Sequence, residues 1–491
     1  MLTRLPTGDR LTLRRADGPA RLPALPPGAN LLGDAHGEAE AVPFGVEERC
    51  RAEAREGGID LICTPGTSAA GLLLRFGARY PHGAALAGAV QAAGDPGFRA
   101  QFGRSGDDAG EALGVAPGTL FPLPGGAGNA PAQLVILAPA AGGTLRIARA
   151  ALVPATRPQS PAQGAGAWAW EPALWQTRGP ALLDAARDRG LARLSVTLAI
   201  TDDGRVEDPD ALAAFVRAAR IRGIAVEAVE GDPDMVFAGG LAAAVRRARA
   251  IADYQRVAAP EARLAGVQYD IEPYALPAWG REPAGYGGWS DAVLALARAL
   301  EAPIHLVLPF WIAEEEEGRA FLRAVEAAVS GVTAMAYRTD AARIAVAAEP
   351  LLAWGSARGK PVRVALETGP VAEETEQLFH PAPRGRLAVA PAGTGRATAT
   401  LLPDETALPG AAMYAPGPRT VAPPARISFL GDDRKMRAAA HALAAPLAAW
   451  SAFDGFFYHG LSWPEGAVGA AGAEQLNLRG RAAEPLRTST K

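Results

Sequence analysis

The segment Ala265-Gly266-Val267-Gln268-Tyr269-Asp270-Ile271-Glu272-Pro273-Tyr274 is the most informative part of this 491-residue chain for its fold. Polar and apolar residues alternate along it, which predicts a short strand. Side chains alternate between the two faces of a strand, so Gln268, Asp270 and Glu272 share one face. Burying unpaired polar groups is costly, so three polar side chains on one face of a strand need an explanation. They could form a salt bridge or lie at an exposed edge of the sheet, or they could be functional carboxylates at the mouth of a barrel.

Strand and helix patterns alternate around this segment at regular spacing, after a Pro- and Gly-containing linker at residues 156–166. Eight strands separated by seven helices is the count of a (β/α)8 TIM barrel, an α/β fold, which we expect over residues 167–475, with a C-terminal tail at 476–491. A doubly wound sheet is the competing architecture, but it rarely needs eight strands so evenly spaced. The expected strands are residues 167–170, 192–200, 224–230, 265–272, 303–311, 331–337, 361–367 and 454–460. The expected helices are residues 180–189, 208–222, 241–255, 289–300, 318–330, 344–358 and 433–450.

Residues 1–155 have a different character, because Gly and Pro separate short strand patterns with little helical periodicity. Residues 133–138 and 144–148 flank a Gly142-Gly143 turn and predict a hairpin. This region therefore predicts an all-β sandwich that precedes the barrel.

A long Pro- and Gly-rich stretch at residues 371–425 follows the seventh predicted strand. Two runs in it, residues 386–389 and 397–402, predict a hairpin. Insertions after barrel strands lie on the face that carries the active site, so we expect a lid or a substrate wall, with an idle surface insertion as the alternative.

The carboxyl ends of barrel strands meet on one face, so polar and aromatic residues at those ends should lie together. Carboxylates for acid–base chemistry and flat rings for the faces of pyranoses are typical of a sugar site. Each residue has a plainer alternative: the tryptophans as core, and the histidine as a satisfied structural side chain. We also expect the arginine of this set to pair with a carboxylate and lower its pKa. The candidate residues are Trp168, Trp170, Glu230, Gln268, Asp270, Glu272, Trp311, Tyr337, Arg338, Glu367, His459 and Trp463.

Composition excludes several other classes of protein. The net charge is −3, and positive and negative residues are present in similar numbers, so nothing indicates a nucleic-acid surface. No run approaches the roughly 20 apolar residues of a membrane helix. The six histidines lack metal-ligand spacing, and no glycine-rich phosphate-binding motif is present, so we expect no metal and no cofactor.

The N-terminus shows no charged region followed by an apolar core, so no signal peptide is visible. The sequence as written predicts a cytoplasmic protein, or a periplasmic or secreted one if its start is trimmed or misplaced. Cys50 and Cys63 could pair in an oxidising compartment, and two free, partly buried thiols are the alternative.

The quoted segment resembles the Asp-x-Asp-x-Glu signature of family 18 chitinases, with Gln268 at the place of the first Asp. Met335-Ala336-Tyr337 is similar to their Met-x-Tyr, with Arg338 where an Asp usually follows. The resemblance implies that Glu272 is a general acid and that Asp270 orients the substrate. The departures at Gln268 and Arg338 count against acetamido-assisted catalysis.

Glu272-Pro273 and Glu367-Thr368-Gly369 are also similar to the acid/base and nucleophile positions of clan A retaining glycosidases. The strand-end motifs together resemble uncharacterised bacterial barrel proteins that are thought to be glycosidase-like, over most of residues 167–465. Asn30-Leu31-Leu32, Glu40 and the closing strand at residues 144–154 loosely resemble jelly-roll carbohydrate-binding modules.

These patterns together predict a glycosidase that acts on a polysaccharide or oligosaccharide. Glu272 is the expected acid, Glu367 the base or nucleophile, and Asp270 the group that tunes Glu272. The other candidates are expected to contact the sugar. A non-catalytic glycan-binding barrel and a structural component of a polysaccharide synthesis or export system are the two alternatives.

Overall fold

The computed structural model describes residues 2–4, 10–12, 22–33, 39–106, 111–124, 128–155, 164–391 and 397–463. Most of the predicted linker and all of the predicted C-terminal tail lie outside these residues. Within them, the chain forms a β-sandwich followed by a closed parallel barrel. None of the described helices is long and apolar enough to span a membrane.

The N-terminal part is built from antiparallel strands, as predicted. A small pair, β1 (Leu2–Arg4) and β2 (Arg10–Thr12), precedes two five-stranded sheets ordered β10-β7-β12-β5-β4 and β3-β6-β11-β8-β9. The sheets face each other across an apolar core, in which Phe102 of β8 lies 6.0 Å from Phe121 of β10. The strands are β3 (Glu40–Gly45), β4 (Cys50–Arg55), β5 (Gly58–Cys63), β6 (Ala70–Arg75), β7 (Leu86–Gly94), β8 (Arg99–Arg104), β9 (Leu113–Gly114), β10 (Leu120–Pro122), β11 (Ala132–Leu137) and β12 (Gly143–Pro154).

A disulfide joins Cys50 to Cys63, so the alternative of two free thiols is wrong. The two residues lie directly opposite each other in the β4–β5 ladder, with their Cα atoms 4.1 Å apart. The β4–β5 pairing therefore places the two cysteines within disulfide distance.

The sandwich presents little aromatic surface. Its six aromatic residues are all among the described residues, and five of them are buried while Phe44 is half-buried. Carbohydrate-binding modules commonly use exposed rings to stack on sugars. A sugar-binding role for this domain remains a prediction, and polar side chains would have to make the contacts to the sugar.

The barrel follows the predicted alternation closely. Its first seven strands are β13 (Gly166–Ala169), β14 (Arg193–Val196), β15 (Ala225–Glu230), β16 (Val267–Tyr269), β17 (Ile304–Pro309), β18 (Val329–Met335) and β19 (Val362–Glu367). After β19 comes a four-stranded antiparallel sheet, ordered β20-β23-β21-β22, which contains the predicted hairpin as β21–β22. Its strands are β20 (Glu374–Pro381), β21 (Gly385–Pro391), β22 (Ala397–Thr406) and β23 (Ala412–Ala422). The last strand, β24 (Phe453–His459), pairs in parallel with both β13 and β19 and closes the barrel.

Helices surround the barrel. They are α1 (Pro172–Gln176), α2 (Gly179–Asp188), α3 (Pro209–Ile221), α4 (Ala238–Val257), α5 (Tyr286–Leu300), α6 (Glu316–Val325), α7 (Ala341–Ser356) and α8 (Asp433–Leu447). The short α1 is additional to the prediction, and it starts at a proline, whose fixed φ suits the first turn.

The fourth barrel strand is shorter than predicted, because β16 ends at Tyr269 rather than at Glu272. Pro273 has no N–H to continue a ladder, and it starts a short 3-10 turn that Glu272 precedes. Asp270 and Glu272 therefore lie on the loop that leaves the strand, above the barrel.

A network of buried charges fills the barrel interior near the strand beginnings. Arg363 of β19 donates to both carboxylate oxygens of Glu227 of β15, at 2.7 and 2.6 Å. Asp454 links Arg363 (3.3 Å) to Arg193 (3.0 Å), and Ser195 donates to Glu227. Four strands are thereby tied together across the interior.

The sandwich packs against the outside of the barrel at α7 and α8. Arg79 forms a buried, two-bond ion pair with Glu349, which also accepts from the backbone N–H of His82 at 2.9 Å. The indole of Trp450 donates to the carbonyl of His82, and Trp450 lies on the turn that leads into β24. The sandwich therefore lies toward the end of the barrel where strands begin, away from the carboxyl ends.

We predict that Arg363→Met lowers the free energy of unfolding by about 3–5 kcal/mol, because it leaves Glu227 buried without its partner. The measurement is urea unfolding of the whole chain. Arg256→Met is the matched control, since Arg256 belongs to an exposed ion pair and should change stability by less than about 0.5 kcal/mol. Equal effects of the two substitutions would show that the interior network does not stabilise the barrel.

Candidate active site

A layer of apolar side chains separates the charged interior from the carboxyl-terminal face. It consists of Trp168, Val229, Val307, Met335, Ala365 and Phe457. Trp170, Tyr274 and Tyr337 pack onto this layer. Three predicted aromatic positions, Trp168, Trp170 and Tyr337, therefore meet there with Tyr274 and Phe457, which were not predicted. The surface above this layer is the candidate site.

Glu367 ends β19, and its side chain is 6% exposed. One oxygen, Oε2, lies 2.7 Å from Nδ1 of His459, and Oε1 accepts from the backbone N–H of Gly369 at 2.6 Å. Burial alone would raise the pKa of this carboxyl, but His459 and the backbone N–H groups of Gly369 and Thr368 outweigh burial and hold the pKa below its ordinary value. Glu367 is therefore an ionised, oriented carboxylate.

His459 ends β24 and lies in an aromatic slot. Its ring stacks with Tyr337 at 6.2 Å between centroids, and it meets the edges of Trp168 at 5.7 Å and Trp170 at 6.3 Å. Trp168 and Trp170 stack on each other at 6.4 Å. The indole of Trp463 donates to the carbonyl of Trp168, which places it at the rim of the same slot.

Glu272 is held by a residue to which the sequence patterns assigned no role. The hydroxyl of Tyr274 donates to Oε1 of Glu272 at 2.7 Å. Burial, with the charges of Glu272 and Asp270, raises the pKa of Tyr274 well above its ordinary value, so the phenol remains a donor. The signal in the sequence is the tyrosine two residues beyond the carboxylate, where a 3-10 turn returns the side chain.

An aromatic cluster fixes Tyr274 in turn. Its ring lies 5.4 Å from Trp311, 6.3 Å from Trp279 and 6.1 Å from Trp289. Trp311, a predicted sugar platform, is half-buried and forms one wall of this cluster. The cluster restricts the rotamers of Tyr274, and through its hydroxyl those of Glu272.

Two residues that were predicted to contact the substrate are buried below the carboxyl-terminal face of the barrel. Gln268 is fully buried, accepts from the indole of Trp168 and donates to Thr333 at 3.3 Å. Thr333 bonds to His305 at 2.8 Å, and burial, with the charges of Arg363 and Arg193, lowers the pKa of this histidine well below its ordinary value. The network under Trp168 is therefore neutral.

The second of these residues is Glu230, which is 5% exposed and forms a two-bond ion pair with Arg247 of α4, at 2.6 and 2.7 Å. Asp270 follows β16 directly, and its N–H donates to the carbonyl of Glu230 at 2.8 Å. Arg338 donates to the carbonyl of Tyr337 at 2.7 Å and lies over the ring of Phe310 at 4.8 Å. The expected pairing of Arg338 with a carboxylate remains a prediction.

The segment that follows the insertion sheet is hydrogen-bonded to the end of β19. Ser428 is 1% exposed, forms a parallel bridge with Glu367 and donates its hydroxyl hydrogen to the carbonyl of Gly369. The N–H of Phe429 donates to the carbonyl of Glu367 at 2.9 Å. The insertion therefore leaves and re-enters the barrel beside Glu367, and its role as a lid stays a prediction.

The described residues contain no group of three or more His, Cys, Asp or Glu side chains that could hold a metal ion. The arrangement they do contain is a carboxylate–imidazole pair and a tyrosine-held carboxylate on one face of a barrel. Such groups can donate and accept protons at a bound ligand.

No protein-family model matches the chain, and no curated relative matches it. Among solved structures the chain is similar to the spore cortex-lytic enzyme SleL of Bacillus cereus, with 11% identity over 65% of this chain and 75% of that chain and a TM-score of 0.34. It is similar to a chitinase from Chromobacterium violaceum, with 15% identity, 61% and 95% coverage and a TM-score of 0.33. It is also similar to an endo-β-1,4-mannanase double mutant of Cellulomonas fimi, with 11% identity, 64% and 68% coverage and a TM-score of 0.38.

These neighbours are glycoside hydrolases. Similarity at this level carries no argument about catalysis or substrate in this chain. Any argument about catalysis or substrate therefore depends on the residues at the carboxyl-terminal face of the barrel.

We predict that Gly460→Ala disrupts the Glu367 site. Gly460 has φ +72°, and a Cβ there would lie 2.2 Å from the nitrogen of Gly369 and 2.6 Å from Oε1 of Glu367. Gly223→Ala is the matched control, since Gly223 has φ +73° and no atom within 4 Å of the added Cβ. Thermal or urea unfolding should show Gly460→Ala about 1–3 kcal/mol less stable than the control. Equal stability would mean that Glu367 is not tightly enclosed.

Proposed function

We propose that the carboxyl-terminal face of the barrel binds a polysaccharide or oligosaccharide and hydrolyses its glycosidic bonds by general acid–base catalysis. The observation that carries this proposal is the ionised Glu367, bonded to His459, on the same face as Glu272, bonded to Tyr274. Glycosidases need one group that gives a proton to the leaving oxygen and another that assists attack at the anomeric carbon.

Glu272 is proposed as the general acid. It lies on the loop beyond β16, half-buried, and Tyr274 holds its Oε1. Asp270, two residues earlier, also acts on Tyr274 through its charge and is proposed to assist Glu272. Glu367, with His459, is proposed to supply the base side of the reaction.

The aromatic residues supply the proposed sugar-binding surface. Trp170 and Tyr337 flank His459, and Trp311 and Trp463 are half-buried. Trp168 also contacts His459, but it is 3% exposed and so supports this surface rather than contacting the sugar. The indole N–H of Trp170 is buried and makes no hydrogen bond to any described residue. This nitrogen has almost no accessible surface, so the sugar contact proposed for Trp170 uses the face of its ring.

Gln268 and Glu230 are proposed as supports rather than direct contacts, because each is engaged with protein groups below the opening. Arg338 is proposed to face the substrate from the loop that follows β18, the strand next to β19. The exposed large apolar side chains of the described residues are dispersed over the sandwich, the ends of α3 and α4, the insertion, and Leu430 on the segment that follows the insertion. That distribution does not favour a protein-docking role for the barrel exterior.

The test is release of reducing ends from a panel of plant and bacterial polysaccharides by the wild type and by Glu272→Gln. We expect cleavage of at least one polymer by the wild type and a loss of about 100-fold or more in kcat for the variant, the range expected for a general acid. Glu315→Gln is the matched control, since Glu315 accepts from Tyr286 of the same aromatic cluster and should leave kcat within about twofold.

Full activity of Glu272→Gln would exclude Glu272 as the acid. Failure of the wild type to cleave any polymer, with glycan binding retained by both proteins, would favour a non-catalytic glycan-binding barrel. The absence of both cleavage and binding would contradict a carbohydrate function for this face.

A further inference from the structure

Glu367 is enclosed by protein on both of its oxygens. Oε1 accepts from the N–H of Gly369, and the backbones of Gly369 and Gly460 lie so close that a Cβ on either would be 3.0 or 2.6 Å from it. Oε2 accepts from His459. A nucleophilic carboxylate must reach an anomeric carbon at roughly 3–3.5 Å. A side chain that is 6% exposed has little surface for that approach.

His459 is the member of the pair that is open to the site. Its side chain is 28% exposed, more than four times the exposed fraction of Glu367. An ionised carboxylate only accepts hydrogen bonds, so the hydrogen between the two residues belongs to Nδ1 of His459. Nε2 then carries a lone pair, and it makes no hydrogen bond to any residue that the structure describes.

The surroundings of the ring favour this orientation. Tyr337 stacks on one side, and the edge contacts with Trp168 and Trp170 restrict rotation. A carboxylate that holds Nδ1–H fixes the tautomer of an imidazole and stabilises the imidazolium that forms when Nε2 takes a proton. An oriented base of this kind needs no direct contact between the carboxylate and the substrate.

We propose that Nε2 of His459 is the catalytic base and that Glu367 is a positioning residue that acts through it. The oxygen of a water molecule bonds to the anomeric carbon while Nε2 takes a proton from that water. The bond from the anomeric carbon to the leaving oxygen breaks, and Glu272 gives its proton to that oxygen. The imidazolium and the Glu272 carboxylate then exchange one proton through solvent, which restores both groups.

This inference rests on the proposed function, and it changes the expected stereochemistry. A single displacement by water inverts the anomeric configuration, whereas a glycosyl–enzyme intermediate on Glu367 would retain it. Proton NMR of the first-formed product from a cleaved oligosaccharide distinguishes the two. Inversion is the expected result, and retention would overturn the assignment of His459 as the base.

Substitutions separate the two roles. His459→Ala should lower kcat by about 100-fold or more with KM changed less than about threefold, and added imidazole should restore part of the lost kcat. Glu367→Gln should also lower kcat, and Glu367→Ala with added azide should yield no glycosyl azide. The exposed His441→Ala is the control and should match the wild type. Azide adducts from Glu367→Ala, or wild-type kcat in His459→Ala, would overturn the proposal.

A readout that needs no substrate tests the inference separately from the proposed function. In ¹⁵N NMR of the whole protein, with the signals assigned through His459→Gln, neutral His459 should be the Nδ1–H tautomer. Glu367→Gln should shift its two nitrogen resonances, while Glu315→Gln should not. A wild-type Nε2–H tautomer would overturn the proposal even if a substrate is found, and the Nδ1–H tautomer would support it even if none is.

Discussion

The pairing of β24 with both β13 and β19 is the constraint on which the site depends. Closure of eight parallel strands forces all their carboxyl ends onto one rim, so residues far apart in sequence become neighbours there. Glu367 and His459 are 92 residues apart and are direct partners in the β19–β24 register. Without closure, Glu367 would not be bonded to the imidazole of His459, and aromatic rings would not surround that imidazole.

The interior of the barrel is organised in levels. Paired charges around Glu227 and Arg363 lie near the strand beginnings, a neutral network that includes Gln268 lies above them, and the layer around Trp168 covers both. Polar groups bond within and between these levels, as Arg363 does to Glu227 and Trp168 does to Gln268, which limits the cost of burying them. The charge exposed at the mouth is thereby left to a few residues, and their hydrogen bonds decide which of them can react.

Local sequence patterns predicted the order and positions of the barrel strands, because hydrophobic runs and Gly or Pro breaks are local signals. They also predicted that Glu230, Glu367 and His459 lie at the carboxyl ends of their strands, whereas Gln268 lies inside β16 and Glu272 beyond it. They did not predict which side chains would bond to each other. Arg247 reaches Glu230 from the following helix, and Trp168 meets Gln268 across 100 residues, so both pairs depend on tertiary packing.

One outcome that the sequence analysis left open, and one difference from the expected structure, had a signal in the sequence. Gly57-Gly58 lies midway between Cys50 and Cys63, and a turn there places the two cysteines opposite each other. Pro273 follows soon after the end of the fourth strand at Tyr269 and starts a 3-10 turn, so Glu272 lies on a loop. The enclosure of Glu367 by Gly460 had no local signal, because it depends on the close approach of two strand ends.

The most direct test of the account is a crystal structure of Glu272→Gln with the shortest oligosaccharide that the wild type cleaves. The account predicts a glycosidic oxygen within hydrogen-bond distance of the amide introduced at position 272, with sugar rings against Trp170 and a water or hydroxyl at Nε2 of His459. An oligosaccharide bound only on the sandwich or the outer helices, with the barrel mouth empty, would contradict it.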